Sequence, residues 1–305
     1  MSVAEAHRRL AAGLAGSVTA NDPLARHTSY RIGGPAALFV ECATVSDLSV
    51  ATDVLTDEGV EWTVLGKGSN VLASDSGYEG AVLVLGRDFK RHSLEDGHLK
   101  SGGGVLLAAL VQDAFKSGLS GLEFAVGIPG TVGGAVAMNA GTRDEGIGAK
   151  VESVTLFVPG QGLVGVRGPE VAWGYRRSDL PSRGVIVEAV LRVTESDEVG
   201  IRRAMEASLR RRKRTQPLGV PSAGSVFVNP EGDSAGRLIE AVGLKGFRIG
   251  GAAVSDVHAN FIVNLGGATA EDVVALVYVI RETVKEVHGI ELKPEIRFLG
   301  AFVEP

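Results

Sequence analysis

The sequence predicts a mixed fold of helices and strands, of the α/β (or α+β) class, from three observations. Short apolar runs of strand length alternate with amphipathic helical stretches along the chain. Hydrophobic residues make up 45% and charged residues 22%, which is typical of a folded chain. Glycine is abundant, at 42 of 305 residues, and it clusters without a collagen-like period. Such clusters predict loops whose backbone approaches a ligand or another segment closely.

The first 86 residues predict one helix followed by a β-α-β unit. Thr44 and Asp47 form a start signal of the capping-box kind, and Gly59 supplies a stop. The predicted elements are a helix over 3–15, a strand over 37–43, a helix between Thr44 and Gly59, and strands over 62–66, 71–74 and 81–86.

The rest of the chain continues this alternation and changes character near residues 198–215, where we place the main domain boundary. Thr269 opens a long helix with an apolar face, and Gly289 ends it. The predicted elements are a strand over 98–104, a helix over 105–118, strands over 151–157, 163–167 and 184–193, a charged helix over 198–213, a helix near 235–242, a strand over 261–265, a helix over 270–288 and a strand near 295–303.

Charge and composition exclude several classes of function. The net charge of −5 argues against a dedicated nucleic-acid binder. The one cysteine, Cys42, rules out an intrachain disulfide, and its place in an apolar strand predicts a core residue. The six histidines show no metal-ligand spacing, and we expect His258 to be structural. No apolar run is long enough to span a membrane and no signal peptide is visible, so we expect a soluble cytoplasmic protein.

Two glycine-rich loops are candidates for ligand binding. The loop from Gly66 to Asn70 follows a strand directly, and its backbone N–H groups could hold phosphate oxygens or simply form a tight turn between strands. It matches neither a dinucleotide-binding fingerprint, because Val71 stands at the third glycine position, nor a P-loop. The segment from Gly127 to Gly134 is a stronger signal, since four glycines in eight residues favour a backbone wrapped around a flat or phosphate-bearing ligand.

Polar segments elsewhere offer further candidates. The five cations from Arg210 to Arg214 could hold a pyrophosphate or nucleic acid, although a solvated helix end is the favoured interpretation. Three other polar segments could carry chemistry, and no G-x-S-x-G nucleophile elbow is present. They are Tyr175–Ser178, Ser222–Ser225 with the Asn229-Pro230 pair that follows, and the glutamates Glu291 and Glu295.

Taken together, these segments resemble one family, the UDP-N-acetylenolpyruvoylglucosamine reductases, the MurB flavoenzymes of peptidoglycan synthesis. The matching segments occur in the family's order and cover nearly the whole chain. They are HTSYRIGGPA (27–36), LGKGSNVL (65–72), GLEFAVGIPGTVGGAVAMNAG (121–141), GYRRSDL (174–180), PSAGSVFVNP (221–230), AGRLIEAVGLKGFRIGGAAVSDVHANFIVN (235–264) and PEIRF (294–298). The short connection between 175 and 221 resembles the shorter of the family's two types.

The resemblance implies an FAD-binding fold of two α/β subdomains, over 1–80 and 81–200, and a C-terminal α/β substrate-binding domain over 201–305. We expect the last strand, near 295–305, to pack back on the FAD domain. The resemblance further implies that NADPH reduces bound FAD. The enolpyruvyl ether of UDP-N-acetylglucosamine is then reduced to UDP-N-acetylmuramate. We expect a cytoplasmic monomer with a small-molecule substrate and with no nucleic acid, membrane or metal partner.

The resemblance also assigns residues. The catalytic trio maps onto Arg176, Ser225 and Glu295, and substrate contacts map onto Tyr175, Arg176, Asn229 and Asn260. The residues expected to bind FAD are Gly66, Lys67, Gly68, Ser69, Asn70, Val71, Gly127, Ile128, Pro129, Gly130, Thr131, Gly133, Gly134, Asn139 and Gly141.

The chain departs from the family pattern at three places. Val228 replaces a usual lysine, Lys67 replaces a common glycine, and 142–144 replaces an Ala-Tyr-Gly-like sequence. The residues alone leave two other functions open. One is a flavin oxidase or dehydrogenase of the same FAD-binding fold acting on another small substrate, and the other is a non-catalytic nucleotide-binding module.

Overall fold

The computed structural model describes residues 2–95, 97–142 and 145–302, and the chain divides into two compact units. Each unit is assembled from separate stretches of the chain. The first consists of Met1–Asn21, Ala37–Lys67 and Gly80–Arg210, and the second of Asp22–Ala36, Gly68–Glu79 and Arg211–Pro305. The last change of unit, at Arg210, lies inside the predicted boundary region. The finer division into 1–80, 81–200 and 201–305 stays a prediction.

The helices begin and end largely at recognisable signals. Thr44 Oγ1 accepts a hydrogen bond from Asp47 N, and Thr269 forms a capping box with Asp272. Gly289 ends the long helix with a left-handed φ of 66°. The helices are α1 (Val3–Gly13), α2 (Val45–Asp57), α3 (Leu107–Lys116), α4 (Val132–Ala137), α5 (Glu198–Thr215), α6 (Ala235–Ala241) and α7 (Ala270–His288). No helix among the described residues is both long enough and apolar enough to cross a membrane.

The strands form five sheets among the described residues. The strands are β1 (Ser17–Pro23), β2 (Pro35–Cys42), β3 (Trp62–Val64), β4 (Val71–Ala73), β5 (Tyr78–Leu85), β6 (His92–Glu95), β7 (His98–Gly102), β8 (Leu119–Ser120), β9 (Val151–Val158), β10 (Gly162–Arg167), β11 (Val185–Arg192), β12 (Thr194–Glu195), β13 (Arg248–Ile249), β14 (Ala252–Val254), β15 (Ile262–Asn264) and β16 (Arg297–Leu299). Their orders are β1-β2-β5-β3, β10-β9-β11-β7-β6, β12-β8, β13-β14-β15 and β16-β4.

The first unit has two hydrophobic cores, one on each face of its five-stranded antiparallel sheet. In that sheet Ala189 lies opposite both Val154 and Ser101, which fixes the register of the central strand β11. One face packs on α3 and α4 through buried residues such as Leu110 and Val136. The other contributes buried side chains to the core formed by α1, α2 and the four-stranded sheet. Burial of both faces explains the near-continuous apolar run of β11.

The second unit packs α6 and α7 with the three-stranded sheet β13-β14-β15 around one core. The segments 22–36 and 68–79 belong to this unit and are bonded into it. Ala270 N and Glu271 N, at the start of α7, donate to Asp75 Oδ2 at 2.7 and 3.2 Å. Strand β4 pairs in parallel with β16, with Leu72 opposite Phe298. The core includes Tyr30, which is fully buried.

The predicted α/β class is confirmed, and most predicted elements are present within a few residues. Helix α7 matches its prediction end to end, while the final strand is limited to Arg297–Leu299. Three kinds of element were not predicted. They are the polar strands β1 and β6, the short pairs β8-β12 and β13-β14, and helix α4 inside the glycine-rich segment.

Candidate functional site

The two glycine-rich segments meet in the first unit. A Cβ on Gly66 would lie 2.6 Å from Thr131 Oγ1, so only glycine permits this approach. Thr131 is itself the N-cap of α4, where its hydroxyl accepts a hydrogen bond from Gly134 N at 3.3 Å. The structure therefore brings together two loops that lie about sixty residues apart in the sequence.

The Gly127–Gly134 segment is bonded to residues 103–107 along its second half. Leu107 N donates to Gly130 O at 3.0 Å, and Val132 N donates to Val105 O at 2.8 Å. Gly133 N donates to Gly103 O at 2.8 Å, and a Cβ on Gly133 would lie 3.0 Å from the same oxygen. Gly133 is thus a point of close packing between α4 and residue 103, and the role in ligand approach predicted from the sequence stays a prediction.

The residues around the two loops fit FAD. Gly66, Gly127 and Gly134 are exposed, and a Cβ on Gly134 would lie 3.4 Å from Thr131 Oγ1, an ordinary van der Waals contact. Gly127 and Gly130 have φ values of 75° and 137°, which favour glycine. These exposed glycines present backbone that carries no side chain of its own, which suits a large flat ligand with phosphate groups. Ile128, which follows Gly127, packs on the core of this unit.

The chain passes from the first unit to the second between Lys67 and Gly68, and the remaining loop residues are bonded within the second unit. Gly68 O accepts hydrogen bonds from Ser29 N and Oγ at 3.1 and 3.2 Å. Asn70 Nδ2 donates to Glu295 O at 3.1 Å, and Arg297 N donates to Asn70 O at 2.9 Å. Because β3 and β4 lie in different sheets, this loop is a connection between sheets and not a hairpin turn.

The segment that carries Ser225 is clamped inside the second unit. Asn260 is only 3% exposed, and its side chain bonds both backbone polar groups of Phe227. Phe227 N donates to Asn260 Oδ1 at 2.9 Å, and Asn260 Nδ2 donates to Phe227 O at 2.8 Å. Val226 N donates to Asn260 O at 2.8 Å, and Glu295 N donates to Val226 O at 2.7 Å. Two of the predicted catalytic residues, Ser225 and Glu295, therefore lie on neighbouring stretches of backbone.

Residues near Ser225 have similar backbone roles. Asn229 Oδ1 accepts a hydrogen bond from Ala235 N at 3.0 Å, at the start of α6. Val228 N donates to Lys293 O at 2.9 Å, which extends the same pairing. Ser29 Oγ donates to Ser222 O at 2.6 Å. Sequence reasoning gave Ser29 no role, although it lies in one of the segments that carry the family resemblance.

Arg176, the third predicted catalytic residue, lies in a tight turn of the first unit. Gly174 and Arg177 exchange two backbone hydrogen bonds of 3.0 and 3.3 Å around the turn. Arg176 has a φ of 54°, a left-handed conformation that is uncommon for arginine. Its guanidinium lies 4.8 Å from the ring centre of Tyr175, and its Nη1 donates to Thr142 O at 3.3 Å. The side chains of Tyr175 and Arg176 are thus in contact, and their predicted contacts with substrate stay predictions.

Asn139 also lies in the first unit, in a left-handed conformation with φ 43°. Its side-chain amide joins two other segments, because Oδ1 accepts from Gly148 N at 2.9 Å and Nδ2 donates to Gly174 O at 3.0 Å. Gly141 pairs with Gly146 in an isolated bridge beside it. Residues 142–144 are one of the places where the chain departs from the family pattern, and Arg143 and Asp144 among them lie outside the described residues.

Several other residues singled out in the sequence have surroundings that are typical of a structural role. Burial raises the pKa of the Cys42 thiol to about 12, which makes it an unreactive core residue, as predicted. Burial lowers the pKa of His258, whose Nδ1 accepts a hydrogen bond from Asn260 N at 3.2 Å. Arg210 is exposed and pairs with Glu206 at 3.1 Å. Within the described ranges, no three His, Cys, Asp or Glu side chains converge as a metal site.

Comparison with known families covers both units. The profile described as "FAD binding domain" matches residues 36–162. The profile described as "UDP-N-acetylenolpyruvoylglucosamine reductase, C-terminal domain" matches residues 216–299. The first match contains both the Gly66 and the Gly127 loops, and the second contains Ser225, Asn260 and Glu295.

Similar proteins span nearly the whole chain. The UDP-N-acetylenolpyruvoylglucosamine reductase of Heliobacterium modesticaldum is 45% identical and covers 92% of this chain and 90% of its own length. That of Bacillus subtilis is 42% identical, with 93% and 95% covered. The crystal structure of the Thermus caldophilus reductase is 38% identical, covers 93% of this chain and 98% of its own, and superposes with a TM-score of 0.82.

Proposed function

The chain belongs to the UDP-N-acetylenolpyruvoylglucosamine reductase family, and from that premise we propose that it is an FAD-dependent reductase of peptidoglycan synthesis. It uses NADPH to reduce the enolpyruvyl ether of UDP-N-acetylglucosamine, and the product is UDP-N-acetylmuramate. The observation that carries the proposal is that the similarity to reductases spans both family profiles and nearly the whole chain.

The exposed glycine backbone of the first unit holds FAD. Glycine loops present N–H groups that no side chain covers, and such groups bind phosphate oxygens. Support comes from the approach of Gly66 to Thr131 and from the exposure of Gly66, Gly127 and Gly134. When bound, FAD supplies the hydride-transfer chemistry, while the protein supplies binding, orientation and electrostatics.

Arg176 binds the carboxylate of the enolpyruvyl group. Its guanidinium presents a planar fork of donors that matches a carboxylate and stays charged at every working pH. As hydride adds to C3 of the substrate, negative charge develops toward this carboxylate, and we assign Arg176 and Glu295 to stabilise that enolate. Glu295 can do so as a protonated carboxyl group or by orienting a water molecule or another donor. The left-handed backbone of Arg176 supports the assignment, because strained conformations cluster at functional sites.

Ser225 donates the proton that C2 of the substrate requires. A serine hydroxyl is a weak acid, but an enolate-like carbon is a much stronger base than water. A neutral hydroxyl can therefore serve as donor, provided that a nearby cation stabilises the alkoxide left behind or a relay returns the proton to it. The bonds of Asn260 and Glu295 to the next two residues hold this part of the backbone in one position. A fixed donor of this kind contributes typically about 10²–10⁴-fold to a rate.

An anaerobic titration tests the proposal. Purified protein should be yellow, should bleach when NADPH is added, and should regain its colour on addition of the enolpyruvyl sugar nucleotide. Rapid recolouring by oxygen alone, with no response to the sugar nucleotide, would indicate a flavin oxidase instead. A protein that binds no added FAD would contradict the proposal altogether. The preference for NADPH, the monomeric state, the cytoplasmic location and the lack of a nucleic-acid or membrane partner stay predictions.

A further inference from the structure

The turn that carries Arg176 cannot owe its shape to its own sequence. Arg176 occupies the second central position between Gly174 and Arg177 with a φ of 54°, where glycine is the favoured residue. A non-glycine residue persists in this conformation when surrounding contacts hold it there. The contacts that hold this turn therefore decide where the guanidinium of Arg176 lies.

Besides the two backbone bonds within the turn, three groups of contacts come from one short segment, residues 137–142, at the end of the glycine-rich stretch. Ser178 N and Oγ donate to Ala137 O at 3.0 and 2.9 Å, and these bonds hold the residue that follows the turn. Asn139 Nδ2 donates to Gly174 O at 3.0 Å, and this bond holds the first residue of the turn. The guanidinium itself donates to Thr142 O. Both ends of the turn and its side chain are thus bonded to the same segment.

The amide of Asn139 is itself held in one orientation. Its Oδ1 must face the N–H of Gly148, which leaves Nδ2 directed at the carbonyl of Gly174. Two glycines make room for it, because a Cβ on Gly146 or Gly148 would lie 2.4 or 2.9 Å from Oδ1. An amide is suited to this position, since it can accept from one backbone group and donate to another.

We propose that Asn139 is a positioning residue that holds the Arg176 turn through Gly174, so that the guanidinium is fixed for the substrate carboxylate. The proposal rests on the proposed function, because it gives Arg176 a carboxylate to bind. It assigns the side chain of Asn139 to the turn, whereas the resemblance assigned Asn139 to FAD.

Two substitutions separate the bonds of this amide. Asn139→Ala removes both bonds, while Asn139→Asp keeps an acceptor for Gly148 N but offers no hydrogen to Gly174 O. We expect both variants to retain FAD and to be reduced by NADPH at nearly the normal rate. Reoxidation by the enolpyruvyl sugar nucleotide should slow by about 10- to 100-fold, the usual effect of a displaced positioning group. The matched control is Thr52→Val, which removes a buried bond to Leu48 O in α2 of the same unit and should leave both half-reactions unchanged.

A double-mutant cycle shows whether Asn139 acts through Arg176. If it does, adding Asn139→Ala to Arg176→Ala should slow reoxidation no further, because the group being positioned is already gone. Additive losses would overturn the proposal, and so would full activity of Asn139→Asp, since that variant lacks the bond to Gly174. Loss of FAD from both variants with the turn unchanged would identify Asn139 as a cofactor ligand instead.

Hydrogen exchange tests the turn without any substrate. The amides of Arg177 and Ser178 are bonded to Gly174 O and Ala137 O, and they should exchange faster in Asn139→Ala than in the wild-type or Thr52→Val protein. Unchanged exchange would overturn the proposal. If wild-type protein failed to reduce the sugar nucleotide, the proposed function would fail, while the exchange rates would still decide whether Asn139 holds the turn.

Discussion

Replacing Asn260 with alanine should destabilise the second unit and also slow the proton-transfer step. The side chain is 3% exposed and satisfies both the N–H and the C=O of Phe227, at 2.9 and 2.8 Å. Alanine leaves both backbone groups buried without these partners. Because Phe227 lies two residues after Ser225, relaxation of its backbone also releases the serine from its fixed position.

The size of the loss follows from the two groups left unsatisfied. Each buried polar group without a partner costs about 1–3 kcal/mol, so the two together cost about 2–6 kcal/mol. For a chain of a few hundred residues, each kcal/mol lowers the melting temperature by about 2–4 °C, which gives a decrease of roughly 4–24 °C. Asn260→Asp should be equally damaging, because a carboxylate cannot donate to Phe227 O.

Asn264 provides a matched control in the same unit. It is 7% exposed, donates to Tyr30 O at 2.9 Å, and accepts from Gly266 N at 2.8 Å and Ala268 N at 3.2 Å. Asn264→Ala should therefore lose stability to a similar extent without touching the Phe227 backbone. Melting temperatures come from circular dichroism, and half-reaction rates come from stopped-flow absorbance well below both melting points.

The two variants should differ in one rate only. Asn260→Ala should be reduced by NADPH normally and reoxidised by the enolpyruvyl sugar nucleotide at least about 10-fold more slowly, as expected for a misplaced general acid. Equal reoxidation rates in the Asn260 and Asn264 variants would refute the positioning argument. A melting temperature unchanged by Asn260→Ala would refute the argument that two unsatisfied backbone groups destabilise the second unit.

Three further substitutions test separate parts of the site. Ser225→Ala should leave flavin reduction by NADPH near normal and slow reoxidation by about 10²–10⁴-fold, and near-normal turnover would remove Ser225 from the mechanism. Gly133→Val should lower both the melting temperature and FAD retention, because even its Cβ would lie 3.0 Å from Gly103 O; a folded variant with stoichiometric FAD would contradict this. Burial, with the nearby Lys245 charge, lowers the folded-state pKa of His258, and the Glu240 charge opposes this. The unfolded chain thus binds this proton more readily, and stability falls as pH drops below about 6.5. The melting temperature of the His258→Gln variant should therefore fall less than that of the wild type between about pH 7.5 and pH 5.5. An equal fall in the two proteins would exclude His258 as the cause.

The elements best predicted from the sequence are those whose signals are local. Helix α7 carries its own start at Thr269, its own stop at Gly289 and an inward apolar face between them, so its bounds required no tertiary information. Helix α4 is the opposite case. Its glycines argue against a helix, but the close approach of Gly133 to Gly103 stabilises one there.

The interleaving of the two units could not be predicted from patterns along the chain. Residues 68–79 join the second unit through the pairing of β4 with β16, more than two hundred residues later. Strand β1 is similar, because its sequence SVTANDP is rich in turn formers and pairing with β2 makes it a strand. Long-range pairing of this kind leaves no local periodicity.

At the candidate site, residue types were predictable and the partners of three asparagines were not. Asn70, Asn139 and Asn260 were predicted to contact cofactor or substrate. In the structure each of their side chains donates to a backbone carbonyl, of Glu295, Gly174 and Phe227 respectively. Nothing in a single sequence tells which carbonyl an amide will find, because the partners lie between 33 and 225 residues away.

These three bonds have a common physical consequence. Each ends on or beside a stretch of backbone that carries a residue of the proposed catalytic trio, and each requires a donor that aspartate lacks. At Asn139 and Asn260 the amide also accepts from a backbone N–H, so neither a carboxylate nor an apolar side chain can replace it. Exchange of asparagine for aspartate is nearly isosteric, but it removes the donor and adds a negative charge beside a backbone carbonyl. It therefore removes this bond at all three positions without enlarging or emptying the site.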